Sequence, residues 1–201
     1  MARKLIHIRI VHSQADLGSV AERLRATSNQ KLSAQGWRKH QQQVAAFWRR
    51  LRAELMERVE KELAGAGWEK LRIYQDGMPA GGETARRIVE EVAEKGSLNY
   101  QMLRELLKRG ASLEKTEHAG LLREEYGMIR QIVAAAGAVE REQARRIYRR
   151  RSEALLAQRD RFIAKRIDQT LKEGELGLLF VGASHRVRSY LPRDIEVISL
   201  Y

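Results

Sequence analysis

The chain has 201 residues, no cysteine and a formal net charge of +12 at pH 7. The lack of cysteine excludes disulfides, thiolate metal ligands and cysteine nucleophiles, so histidine, carboxylate, hydroxyl and lysine side chains are left for chemistry. Such a basic balance is typical of proteins that meet phosphate groups or acidic surfaces.

Signals for a membrane span or for export are weak in this sequence. No stretch approaches the roughly 20 apolar residues of a membrane span. His7 and Arg9 interrupt the apolar N-terminal segment, which therefore lacks the core of a signal peptide. The length fits one domain that can bury a sizeable core. We expect a single domain over residues 1–201 that is cytoplasmic and has no membrane partner.

The first half of the chain alternates strands and helices. Residues 5–11 (LIHIRIV) alternate isoleucine with polar side chains, which predicts a first strand. Apolar residues recur every three or four positions over 38–63, the pattern of an amphipathic helix. The segment LRIY at 71–74 predicts a second strand, which ends at the glycine-rich turn QDGMPAGG. Two short helices are predicted next, over 83–96 and 97–110.

The second half is dominated by helix. Residues 117–172 contain no proline, and the segment predicts a helical arm made of one long helix, or of two helices broken near Gly137. The run GLLFVG at 177–182 has no polar break, as in a strand that is covered on both faces of its sheet. A last strand is predicted at 195–201. This order predicts an α/β fold with a small, mainly parallel sheet flanked by helices and a long basic helical segment.

Three of the predicted strands end in ionisable residues: His12, Asp76 and His185. Ligands of open parallel sheets bind beyond the carboxyl ends of the strands, where the loops converge. Two histidines and a carboxylate at that edge could hold a divalent metal of unknown identity, or could act as acid and base on a bound substrate. The alternative is that each is an ordinary loop or turn residue.

The segment AQRDRFIAKRIDQTLKEGELGLLFVGASHRV carries a family resemblance. It resembles the C-terminal signature of the TraB-like proteins, in which an arginine and an acid on a helix precede a buried strand closed by Gly-x-x-His. The matching residues are Arg159, Asp160, Gly182 and His185. The family belongs to a wider set with the erythromycin esterase, haem-binding ChaN-like and Tiki protease families. The resemblance implies a pocket at the strand ends and, in some relatives, a metal-dependent peptidase or hydrolase activity.

The resulting functional prediction is a metal-dependent hydrolase that acts on a small or peptide substrate. His12, Asp76 and His185 are the predicted metal ligands or acid–base groups. Arg159 could hold a carboxylate or phosphate, and Asp160 could orient a histidine. Arg159 and Asp160 could equally form structural ion pairs.

The basic segment 141–166 supports a competing prediction. It has ten lysine or arginine residues against three acidic ones, and Arg145, Arg146, Arg149 and Arg150 fall within two helical turns. A ridge of this kind could neutralise several phosphates, so the chain could be a non-catalytic protein that binds nucleic acid or an acidic partner. Two other interpretations are a solvated charged face and an arm that pairs with a second copy of the chain.

Overall fold

A computed structural model of the chain describes residues 2–10 and 34–200. The strands are β1 (Arg3–Ile10), β2 (Leu71–Gln75), β3 (Ser112–Glu114), β4 (Leu176–Gly182) and β5 (Ile195–Leu200). The helices are α1 (Ala34–Leu63), α2 (Gly82–Glu94), α3 (Leu98–Lys108), α4 (Ala119–Ala134) and α5 (Ala138–Thr170). Short 3₁₀ segments lie at Trp68–Lys70 and Val187–Tyr190.

The five strands form one parallel sheet in the order β3-β2-β4-β1-β5. This arrangement confirms the predicted α/β fold. Strand β4 lies in the centre, and its residues from Leu176 to Val181 are buried, as the uninterrupted apolar run predicts. In the register of the sheet, Gly182 of β4 pairs with Ile10 of β1, and Phe180 pairs with Gln75 of β2. The three strands therefore end at the same edge.

Helices cover both faces of the sheet. On one face, Ile8, Ile73 and Phe180 belong to an apolar core that includes residues of α1, α2 and α3. On the other face, Tyr74 and Leu179 pack with a second set of apolar side chains that α5 contributes, namely Ile163, Ala164 and Ile167. Helices α1, α2 and α3 and the C-terminal half of α5 each bury one apolar stripe, as a period of three to four residues requires. Helix α4 buries only Ile132.

Helices α4 and α5 form an antiparallel hairpin. The chain breaks between them at residues 135–137, so the helical arm consists of two helices with the break near Gly137. Polar contacts join the pair: Arg151 Nε lies 2.6 Å from Glu124 Oε1, and Tyr148 donates to Glu125 at 3.4 Å. Near the N-terminus of α5, Val139 is 73% exposed and Ile147 is 56% exposed.

Two features differ from the sequence prediction. Strand β3 was not predicted, because three residues are too few to show an alternating pattern. Helix α1 begins at Ala34, four residues before the predicted start, and helix ends are hard to place by pattern alone. Among the helices of the described ranges, none has the length and apolar character needed to cross a membrane.

Candidate functional site

The carboxyl ends of β2 and β4 bring four of the predicted site residues together. Asp76 directly follows β2, and its backbone N–H donates to Phe180 of β4 at 2.8 Å. His185 lies three residues beyond β4, where its N–H donates to Gly182 at 3.1 Å and closes a turn. Arg159 and Asp160 reach this edge from α5. The fifth predicted residue, His12, lies outside the described residues.

His185 is held between two carboxylates. Its Nδ1 lies 2.5 Å from Asp160 Oδ1, and its Nε2 lies 3.2 Å from Asp76 Oδ2. The second oxygen of Asp160 accepts the Arg186 backbone N–H at 2.8 Å, which fixes the carboxylate. Burial by itself lowers the pKa of His185, but the hydrogen bonds to Asp160 and Asp76 raise it to about 9. The ring is therefore an imidazolium at neutral pH.

Arg159 connects Asp76 to two further carboxylates, those of Glu117 and Glu125. Its Nη2 lies 2.6 Å from Glu117 and 2.9 Å from Asp76, its Nε donates to Glu117 at 3.1 Å, and its Nη1 lies 3.0 Å from Glu125. Burial opposes the charged form of Arg159, but these contacts outweigh it and the pKa of the guanidinium is raised. Arg159 thus forms ion pairs within the protein, which is the alternative that the sequence left open, and its role in holding a carboxylate or phosphate of a ligand stays a prediction.

Glu117 is one of two residues of this site that sequence reasoning missed. It has no exposed surface, and its Oε1 also accepts the Gly77 N–H at 3.1 Å, so it ties the turn after β2 to the loop after β3. Burial raises the pKa of its carboxyl group, against the opposing effect of Arg159. Glu125 was missed as well. Neither lies in a recognisable motif, and only position beyond β3 could have pointed to Glu117.

The cluster holds more acids than bases. Four carboxyl groups, those of Asp76, Glu117, Glu125 and Asp160, surround the two cations Arg159 and His185. Carboxylates that lie close together favour proton uptake by a neighbouring group, which agrees with the raised pKa of His185. The site can thus hold a proton on a ring nitrogen that two carboxylates orient.

The predicted metal site has only part of its ligands in the described residues. Within residues 2–10 and 34–200, no group of three histidine or acidic side chains is arranged to hold a metal ion. Both nitrogens of His185 face carboxylates, as in an imidazolium, whereas a metal ligand needs a free nitrogen lone pair. The metal hypothesis depends on His12 and stays a prediction.

The structure divides the predicted arginine ridge. Arg149 lies 2.6 Å from Glu142, in a pair in which both side chains are at least half exposed. Arg146 and Arg150 are exposed, whereas Arg145 is partly buried. The four arginines therefore do not act as one uniform patch.

Comparison with known proteins adds no relative. No family model matches the chain, and neither a curated protein nor a solved structure matches it. The resemblance to TraB-like proteins accordingly stays a prediction that rests on the residues named above.

Proposed function

We propose that the protein is a hydrolase in which His185 supplies a proton at the carboxyl edge of the sheet. The observation that carries the proposal is the position of the His185 ring between Asp160 and Asp76, which come from two different elements. A buried titratable group with a strongly raised pKa beside two carboxylates is a common feature of acid–base sites.

The residues have distinct roles in this proposal. Asp160 accepts from Nδ1 and keeps the ring in one orientation, so Nε2 is the nitrogen that transfers the proton. The contact from Nε2 to Asp76, at 3.2 Å, is the longer of the two and is the one that a substrate or water would replace. His185 then donates its Nε2 proton to the leaving group, and Asp76 accepts a proton from the attacking water.

Arg159 serves as a positioning residue. It fixes one oxygen of Asp76 at 2.9 Å and leaves the other oxygen toward His185. Glu117 in turn holds the guanidinium through two hydrogen bonds. Arg159 and Glu117 thus keep the carboxylate of Asp76, the proposed base, in place without giving it a proton.

Hydrolysis of chromogenic esters, phosphodiesters and peptide anilides tests the proposal. His185→Gln should lower the rate by roughly 10²- to 10⁴-fold, the usual contribution of a positioned acid or base. Asp160→Asn should also lower it, whereas Asp168→Asn, a change of an exposed acid on the same helix, should not. In the wild type the rate should fall above about pH 9, where His185 loses its proton. A folded His185→Gln protein with the wild-type rate and pH profile would refute the proposal.

The predicted divalent metal is tested separately by the metal content of the wild type and of His185→Ala. Stoichiometric metal that is lost in the variant would support a metal-dependent reaction with His12 as a further ligand. Metal in neither protein after incubation with zinc or manganese would contradict it.

A cytoplasmic location is likewise a prediction.

A further inference from the structure

Three exposed arginines lie beside the candidate site. Arg161 follows Asp160 on α5, Arg186 follows His185, and Arg188 lies in the 3₁₀ segment Val187–Tyr190. Within the described part of the chain, none of the three has a carboxylate within ion-pair distance. Their charges are therefore available to a ligand, unlike those of arginines that are already paired with acids.

An exposed aromatic ring accompanies these arginines. Tyr190 is 38% exposed, and the guanidinium of Arg161 lies over its ring, 5.2 Å from the ring centroid. This contact orders both side chains at the surface. A flat ring beside flat guanidinium groups can accept the face of another planar group.

The positive surface continues along α5. Arg150 precedes Arg161 by 11 residues, which is three helical turns, so both lie on one side of the helix. Arg146 lies one turn before Arg150, toward the N-terminus of α5, and is also exposed. At 1.5 Å per residue, the distance from Arg146 to Arg161 is about 22 Å along the axis. Glu153 also lies near this line and reduces its charge only in part.

Helix α4 does not cover this side of α5. Tyr148 and Arg151 face α4, since they contact Glu125 and Glu124. Arg150 lies between them in sequence but points about 100° away from Arg151 and about 160° away from Tyr148 around the helix axis. We call the set Arg146, Arg150, Arg161, Arg186 and Arg188 the arginine strip.

We propose that the arginine strip binds the backbone of a single-stranded nucleic acid and that Tyr190 stacks on one of its bases. Guanidinium groups match phosphate oxygens in charge and geometry. A length of about 22 Å spans several successive phosphates, which suits an extended polymer better than a small anion. The exposed ring favours a single strand, because the bases of a duplex are not free to stack on a side chain. The proposal concerns binding and does not rest on hydrolysis at His185.

Binding of a fluorescent RNA or DNA single strand of about 12 nucleotides tests the proposal by anisotropy over a range of salt concentrations. The test variant carries Arg161→Gln, Arg186→Gln and Arg188→Gln. The control carries Arg50→Gln, Arg86→Gln and Arg87→Gln, three exposed arginines on helices of the opposite sheet face. Both variants lose three charges.

The test variant should bind at least about tenfold more weakly than wild type. The slope of the logarithm of the binding constant against the logarithm of the salt concentration is negative, and its magnitude should decrease by about 2, since each phosphate contact on a single strand contributes roughly 0.7. The control should lose less than about threefold and keep its slope to within about 1. Tyr190→Ala should weaken binding of the oligonucleotide but not of inorganic polyphosphate. Arg146→Gln with Arg150→Gln should reduce affinity without touching the core, because no residue of α5 before Leu155 is buried. This second variant guards against a folding defect in the first.

Three results would overturn the proposal. The first is no binding of either oligonucleotide at low salt. The second is an equal loss in the test and control variants, which would mean that net charge alone attracts the strand. The third is that polyphosphate binds as tightly as the oligonucleotide and that Tyr190→Ala has no effect on either. This result would mean that the arginine strip binds polyanions in general.

Discussion

Arg159 and Glu117 form a two-point ion pair inside the protein, with Nη2 to Oε1 at 2.6 Å and Nε to Oε2 at 3.1 Å. The pair joins the middle of α5 to the loop after β3, across 42 residues of sequence. Glu117 has no exposed surface, so its charge depends on Arg159 for compensation. The same guanidinium also fixes Asp76, which makes the pair part of the candidate site.

Loss of Arg159 should therefore lower the stability of the protein. Arg159→Met leaves the buried Glu117 without its cation and leaves Asp76 with His185 alone, and we expect a loss of about 3–5 kcal/mol in the free energy of unfolding. Glu117→Gln should cost less, because it removes a buried charge and retains one hydrogen bond. The double variant should be more stable than the sum of the single effects predicts. Urea unfolding of the four proteins measures this coupling, and additive effects would contradict it.

The stability of the protein should depend on pH through His185. Its pKa is about 9 in the folded protein, against about 6.5 when unfolded. A raised pKa stabilises the fold fully below about pH 6.5, and that contribution is lost as the pH rises toward 9. The shift in the pKa of His185 corresponds to at most about 3 kcal/mol in the free energy of unfolding. Asp76 and Asp160 supply the effect, so Asp160→Asn should reduce it.

Urea unfolding at about pH 6 and about pH 9 tests this dependence. The difference between wild type and His185→Gln isolates the histidine from other groups that titrate in the same interval. The wild type should lose stability relative to the variant as the pH rises. A constant difference between the two proteins at both pH values would mean that the pKa of His185 is the same in the folded and the unfolded protein.

The sequence predicts the backbone of the site better than its contacts. The apolar run of β4 and the turn after β2 place His185 and Asp76 correctly, since strand periodicity and turn chemistry are local signals. The pairing of Arg159 with Glu117 is not local. Glu117 follows a strand too short to recognise, and the sequence does not tell which of many acids an arginine meets.

The same limit applies to the basic segment. The sequence shows a dense run of arginines but not which of them are neutralised. The structure pairs Arg149 with Glu142 and Arg151 with Glu124, and leaves Arg150 exposed. It also brings Arg186 and Arg188 next to α5, although both lie beyond β4 in sequence. Ion pairing and topology together define the arginine strip, and neither is visible in composition.

His7 is an unfavourable feature of the fold at low pH. The residue is buried on β1, and its Nε2 has no hydrogen-bond partner among residues 2–10 and 34–200. Burial lowers the pKa of His7, as do nearby Arg9 and Arg188. Because the folded pKa lies below the unfolded value, stability is fully present above about pH 6.5 and is lost as the pH falls.

His7→Leu should therefore stabilise the protein. It removes an unsatisfied buried nitrogen, which costs about 1–3 kcal/mol, and it should add more at about pH 5.5 than at about pH 7.5. Thermal unfolding at the two pH values provides the measurement. A variant less stable than wild type at both would show that the ring has a favourable role in the folded protein.

Gly177 lies inside the buried strand β4, where a side chain has little room. A Cβ at this position would lie 2.5 Å from Leu5 Cδ1 and 3.4 Å from Tyr74 Cε2. Leu5 is fully buried, so its side chain has to move within a packed core to make space. Gly177→Ala should destabilise the protein by about 1–3 kcal/mol, the usual cost of overpacking.

A second substitution separates this steric cause from other effects of the glycine. Leu5→Val removes the Cδ atoms that the new methyl group would meet, although by itself it should also destabilise the core. If the clash is the cause, Gly177→Ala should cost less in the Leu5→Val background than in the wild type. Urea unfolding of the four proteins gives the coupling between the two sites. A cost that is equal in both backgrounds would place the effect of Gly177 elsewhere, in the strand backbone or in its contact with Leu171.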